Sequence, residues 1–362
     1  MKYNTNQRPP SRARRKRSSA PKVGLAVFCL FLMASGAFFV GEKAYLFVKS
    51  LGKPAAQALT GRETVSPSQG TSSTPTASAP SNLPAGSVYL PNPKMPLTIT
   101  RVNDAGVTLV LVEGGQLGTR RSPLRQGVED FVKEAGATAG VNGTFFANAS
   151  LEGTDNLLIG PSLCENEAAE TMSPFDTKPQ LQGRPLVVVS PTSTCIVPYD
   201  ISTLSMPGAI QTLMPNITNA FLGGVWLVKG GVASTLDQLN AYNVHDAEDP
   251  RRRAFFAIMP DGRPVLGATD GSLTSRHLAR DLAAAGVQEA VLLDSGFSTS
   301  LVFQSTILVT GHSTKGLPSR PVPQALILYG QPDPSVQAQL PAAGTVDTST
   351  TAADTAAPPA AT

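Results

Sequence analysis

The chain has 362 residues, 41% hydrophobic and 15% charged, with a formal net charge of +3. Eight Lys and Arg crowd the first 22 residues with no acidic residue among them, so the remainder is net acidic. That excludes broad nucleic-acid binding by the body of the chain, because such affinity comes from neutralising many phosphates.

Residues 1–22 read as a basic cytoplasmic arm. Residues 23–40 carry no charge and, at about 1.5 Å per residue, are long enough to cross most of a bilayer core as a transmembrane helix. Basic residues in front of this span outnumber those behind it, so the positive-inside rule predicts a cytoplasmic N-terminus and an extracytoplasmic body. A signal peptide cleaved near Ala34-Ser35-Gly36 is the competing reading, although the apolar run continues through Phe38, Phe39 and Val40. Export would allow Cys164 and Cys195 to form a disulfide, with two separate thiols as the alternative. Residues 41–94, rich in Ser, Thr, Pro and Ala, read as a flexible linker, and 332–362 as a disordered tail. Between them, 95–331 is long enough for one large domain or two small ones, and is read as one.

Within that domain, 97–102 and 107–113 are β-rich runs joined by Asn103-Asp104-Ala105-Gly106, a hairpin signal. Leu124, Val128, Phe131 and Val132 follow helical spacing, with Ser122 as cap, Pro123 at the first position and Gly136 as the stop. A strand at 137–141 then runs into Asn142-Gly143-Thr144-Phe145-Phe146. Later, 253–259 and 264–268 flank the turn Pro260-Asp261-Gly262-Arg263, a second hairpin. A helix over 274–285 feeds the apolar strand 289–293, in a possible strand-helix-strand crossover. Asp294-Ser295-Gly296-Phe297-Ser298 sits where that strand ends, ahead of strands 300–303 and 324–329. These elements predict an α+β fold with a single mixed-sheet globular domain behind one N-terminal transmembrane helix.

The succession VNGTFF (141–146), GGVWLVKGG (223–231), RRRAFFAIMPDGRPVL (251–266), AVLLDSGFSTSLVF (290–303) and SRPVPQALIL (319–328) resembles the phosphodiester glycosidase family, whose eukaryotic member uncovers the mannose 6-phosphate signal. The resemblance implies hydrolysis of a sugar-1-phosphodiester. By position it implies Asp294, Asn142 and Ser298 as catalytic residues and Arg253, Arg320, Gly296 and Asp270 as substrate-binding ones. A carboxylate suits work at an anomeric carbon. An arginine fork suits a permanent phosphodiester anion. A tethered extracytoplasmic domain would meet cell-envelope glycans or their precursors. The expected partners are thus a glycan or sugar-phosphate substrate, and the membrane through the N-terminal helix.

Plainer roles stand beside these. Asp294 also suits an Asx turn, Asn142 a turn former, and Arg253 rests on strand register, with Arg251 on its face and Arg252 opposite. Where the family usually has glycine after the aspartate, this chain has Ser295, which would strain a positive-φ turn or narrow a pocket. A catalytically inactive glycan or phosphopolymer-binding module is therefore the alternative function. An acyl hydrolase built on Ser295 or Ser298 with His277 or His312 lacks the nucleophile-elbow pattern. No cofactor is expected. The histidines His245, His277 and His312 are scattered, so a divalent cation has no recognisable motif, although the loop acids Glu152, Asp246, Glu248 and Asp249 could complete a site or bind one.

Overall fold

Both hairpins form where their turn residues place them, but most of the strands lie in stretches that carry no alternation. The computed structural model describes residues 79–80, 82–147, 156–314 and 317–339. Among these, the named strands make three sheets. One has the order β1 (Val88–Pro91), β8 (Ser193–Pro198), β7 (Pro185–Val189), β9 (Asn219–Leu222) and β6 (Ser162–Leu163). The central, seven-stranded sheet runs β11 (Val232–Ala233), β10 (Trp226–Lys229), β14 (Glu289–Leu292), β12 (Ala254–Ile258), β13 (Pro264–Thr269), β3 (Val107–Glu113) and β2 (Thr98–Asp104). The third runs β16 (Thr306–Thr310), β15 (Ser300–Phe303), β5 (Ala139–Asn142), β17 (Val322–Tyr329) and β4 (Gln116–Gln126).

The pairings within these sheets are antiparallel. Helices are few and short: α1 (Val128–Ala135), α2 (Ile201–Leu204), α3 (Leu236–Asn240) and α4 (Ser275–Ala284). The fold is mostly β, not the α+β mixed sheet that the sequence suggested. No helix among the described residues is long and apolar enough to cross a membrane. The expected span 23–40 lies outside them, as do Glu152 and most of the expected linker and tail.

Packing explains why the fold class was misread. Phe256, Ile258, Val291 and Leu266 from the central sheet meet Val187, Ile196 and Phe221 from the first and Val141, Leu301 and Leu326 from the third in one shared core. Phe221 and Phe256 pack edge to face with ring centroids 5.5 Å apart, an arrangement that adds about 1 kcal/mol to area burial. The opposite faces are covered too: α4 and α3 shield the central sheet with Leu278, Leu282 and Leu239, and α1 shields the third with Phe131 and Val132. Strands buried on both faces read as continuous apolar runs, so the period of two that marks a half-buried strand is lost.

Three local expectations change. Strand β4 extends to Gln126 and pairs with β17, so α1 starts after Gly127 rather than at Ser122, and Leu124 stands exposed. A long-range ladder has overridden local helix signals. Strand β1 lies inside the stretch expected to be linker, where Tyr89 pairs with Cys195. Cys164 and Cys195 are both buried free thiols, not a disulfide. Strands β13 and β14 flank β12, both antiparallel to it, and α4 joins them; that crossover carries the chain to Asp294.

Candidate active site

The site grows from the C-terminal end of β14. Leu293 still bonds to the sheet, its N–H donating to the carbonyl of Ala254, and Asp294 is the first residue beyond. Its own N–H donates to the Gly143 carbonyl at 3.2 Å, which fixes the turn against the end of β5. Gly143 must be small, because a Cβ there would come within 2.7 Å of Gln324. The neighbouring Asn142 is fully buried. Its Nδ2 donates to the Asp294 carbonyl at 2.7 Å and its Oδ1 accepts from the Ser300 N–H at 3.1 Å, so it clamps both ends of the turn. Asn142 therefore positions Asp294 and has no face toward a substrate.

Beyond this turn Asp294, Ser298 and Arg320 form one hydrogen-bonded cluster, with Ser298 itself fully buried. Asp294 Oδ1 accepts from the Ser295 N–H at 2.9 Å, and Oδ2 accepts from Arg320 Nη2 at 3.3 Å. Arg320 also donates to Ser298 Oγ, from Nε at 3.1 Å and from Nη2 at 2.5 Å, and its guanidinium lies 5.1 Å from the ring centre of Phe146. The Asp294 side chain is 13% exposed and that of Arg320 32%, so the pair faces solvent along one edge. Burial pushes the Asp294 carboxyl above the ordinary carboxylate range. The Ser298 hydroxyl, the Arg320 guanidinium and the Ser295 N–H pull it back, while the charge of Asp246 adds to the upward push.

Ser295 does not strain the turn. It is extended (φ −132°, ψ −178°), with Oγ donating to the Leu293 carbonyl; the left-handed position belongs to Gly296 at φ +69°. The glycine that the backbone requires is present.

Arg253 has no exposed surface through which to meet a substrate, and its Nη1 is buried without a hydrogen-bond partner among the described residues. It is fully buried; Nε donates to the carbonyl of Leu273 at 3.0 Å, and Nη2 to those of Asp246 at 2.9 Å and Ala247 at 3.0 Å, and also of Asp249. Alternation held, since Arg251 shares its side while Arg252 reaches the Thr310 carbonyl on the other; the sequence could not tell depth. Arg251 pairs with Asp246 and Asp249, each at 3.0 Å, and Glu248 accepts from the Arg276 N–H. The two arginines fix the loop at 246–249 by its carbonyls and its carboxylates. Asp270 is likewise diverted: exposed, it accepts from the Thr108 N–H at 2.7 Å and extends the β13–β3 pairing. Among the described residues no hydrogen bond joins a histidine to Ser295 or Ser298, which removes the acyl-hydrolase geometry.

Two cavities are lined by residues close to this cluster in the chain or in charge: Gly296 and Phe297 of the same turn line one, and Asp246 lines the other. One, of about 590 Å³, is lined by Arg251, Arg252, Gly296, Phe297 and His312, with the exposed Phe297 ring stacked on His312 at 4.6 Å. The other, of about 440 Å³, is lined by Asp246, Phe145, His245, Lys178 and Arg184. Arg184 went unremarked in the sequence. It is buried, bonded to the Tyr242 and Asn243 carbonyls and drawn down to about 10 by that burial.

The sequence profile of phosphodiester glycosidases matches residues 135–329, more than half of the chain. The chain belongs to that family. The matched stretch runs from β5 to the end of β17 and contains Asn142, Arg253, Asp294, Ser298 and Arg320. Among solved structures, the phosphodiester glycosidase domain is similar to the zebrafish N-acetylglucosamine-1-phosphodiester alpha-N-acetylglucosaminidase catalytic domain auto-inhibited by its pro-peptide, at 16% identity over 70% of this chain and 87% of that one, with a TM-score of 0.49. It is also similar to a hypothetical protein from Synechocystis (14% identity, 65% and 62% covered, TM-score 0.42) and to a putative exported protein from Burkholderia pseudomallei K96243 (13%, 62% and 73%, TM-score 0.38). No curated protein matches.

Proposed function

We propose that this phosphodiester glycosidase domain is an active hydrolase that cleaves a sugar-1-phosphodiester, adding water at the anomeric carbon and releasing a phosphomonoester. The observation that carries the reading is the hydrogen-bonded cluster of Asp294, Ser298 and Arg320 just beyond the end of β14. The bond that breaks joins the anomeric carbon to the phosphate oxygen. Its leaving group is already a weakly basic anion, so the demand is less for a proton than for charges placed where charge develops. Asp294 supplies a carboxylate for the positive anomeric centre, and Asp246 is a second carboxylate whose charge reaches it. Arg320 Nη1 takes no part in the bonds to Asp294 and Ser298, and the open edge of this guanidinium suits a phosphate oxygen. The Phe297–His312 stack offers a flat apolar face for a sugar or aglycone.

Asp294→Asn tests this in the full-length chain with a chromogenic sugar-1-phosphodiester. The variant is expected to lose at least about a hundredfold in turnover, the scale of a lost charge-stabilising group. Equal turnover by both forms would remove Asp294 from the mechanism. Binding of the substrate without turnover by either form would support the non-catalytic module instead.

We place the domain's work outside the cytoplasm, on envelope glycans or their precursors, because the apolar stretch 23–40 follows a basic arm. Protease added to intact cells should then digest the domain, and full protection until lysis would count against that location.

A further inference from the structure

A second cluster stands apart from the cluster at Asp294. His277 and Asp281 lie four residues apart on α4, hence on one helix face, and Asp104 closes the edge strand β2 beside them. Ligand-capable atoms of the three lie within 4.8 Å of one another. His277 Nε2 is 3.0 Å from Asp104 Oδ2 and 3.9 Å from Asp281 Oδ1.

Asp281 is 8% exposed, and its Oδ2 is buried with no hydrogen-bond partner among the described residues. Burial is the main push against its charge, to which the facing Asp104 adds through like charge and a shared-proton contact, while the charges of His277 and Arg280 pull the other way. The imidazole cannot serve both acids: its Nε2 reaches Asp104 at bonding distance, and 3.9 Å to Asp281 is too far for a hydrogen bond. An unpaired buried carboxylate oxygen is costly unless a proton, a water or a cation meets it, and a cation would answer both acids at once.

We propose that Asp104, His277 and Asp281 hold a divalent transition-metal ion of the zinc type, which staples the edge hairpin β2–β3 to α4. One imidazole nitrogen with two carboxylate oxygens is a borderline donor set that suits such an ion. Around zinc, ligand atoms roughly 2.0–2.2 Å from the metal at tetrahedral angles stand about 3.3 Å apart, between the two separations seen here. The half-exposed Asp104 side leaves room for water as the remaining ligand.

The test uses the untagged full-length chain stripped with EDTA, titrated with cobalt(II) and zinc(II). Cobalt should give the visible absorption of a four- or five-coordinate site, and zinc at a hundredfold above its Kd should raise Tm by about 5–10 °C. Asp104→Asn and His277→Gln should each abolish both effects while keeping the metal-free Tm close to that of the stripped parent. Asp104 is half exposed at a hairpin end, so that variant is expected to fold even if the helix variant does not. Absence of both effects in the parent overturns the proposal, as does a cobalt spectrum or zinc shift that survives Asp104→Asn.

Discussion

Replacing Arg253 with lysine separates two roles for an arginine at the head of β12. If the guanidinium is a loop clamp, its four bonds to the carbonyls of Leu273, Asp246, Ala247 and Asp249 are what matter. A lysine keeps the charge, but its donors radiate from one nitrogen and cannot span Leu273 and the loop together. Losing at least two charge-assisted bonds, at about 1.5 kcal/mol each, costs about 3 kcal/mol. For a domain of this size that is a Tm fall of about 6–12 °C. Because the loop carries Asp246, turnover should fall with stability. Differential scanning calorimetry and steady-state kinetics on Arg253→Lys read both. An unchanged Tm with a tenfold rise in KM would refute the clamp and return Arg253 to the substrate.

Two further substitutions address neighbouring questions. Ser295→Gly gives up the bond to the Leu293 carbonyl and loosens an extended residue, so it should cost about 1 kcal/mol and leave turnover within about twofold. A tenfold gain in turnover would mean that Ser295 does narrow the site. Asp176, 1% exposed, is pushed by burial from 3.8 up to about 6, with the Ser173 N–H pulling the other way. A folded-state value above the unfolded one means that the associated stability is present below about pH 4 and is lost as pH rises through about 6. Asp176→Asn should therefore raise Tm over the parent at pH 7 and lose that advantage toward pH 4. A pH-independent advantage would contradict the burial argument.

Turn chemistry was the most legible part of the sequence. Asn103-Asp104-Ala105-Gly106 and Pro260-Asp261-Gly262-Arg263 each specify a hairpin through residues that tolerate left-handed backbone, and Ala105, Gly106 and Gly262 do adopt positive φ. Helix α4 was legible for the same kind of reason, since the Thr274 side chain accepts from the His277 N–H as its cap. The first sheet left no comparable trace. Leu186, Val187, Val188 and Val189 of β7 face two cores in turn, Val187 and Val189 toward the shared one and Leu186 and Val188 toward another, so every position is apolar. The end of β4 was illegible because its pairing partner β17 lies about 200 residues away in sequence.

The site shows the same division between position and depth. Asp294, Ser298 and Arg320 were named through the family resemblance, and the fold brings the three side chains into one hydrogen-bonded cluster. Asn142 and Arg253 were named by the same resemblance; both are fully buried, and Asn142 Nδ2 and Arg253 Nε and Nη2 donate to backbone carbonyls. A buried Asn or Arg can hold two chain segments in register as well as touch a ligand, because such side chains present several donors in a fixed plane. Here Asn142 ties β5 to the turn after β14, and Arg253 ties the start of β12 to the loop of Asp246. The two carboxylates, Asp294 and Asp246, thus owe their placement to two residues that never meet solvent. Substitutions at those buried positions should act through the placement of the acids, and this is why Arg253→Lys, more than any change in the Asp294 cluster, tests how the site is built.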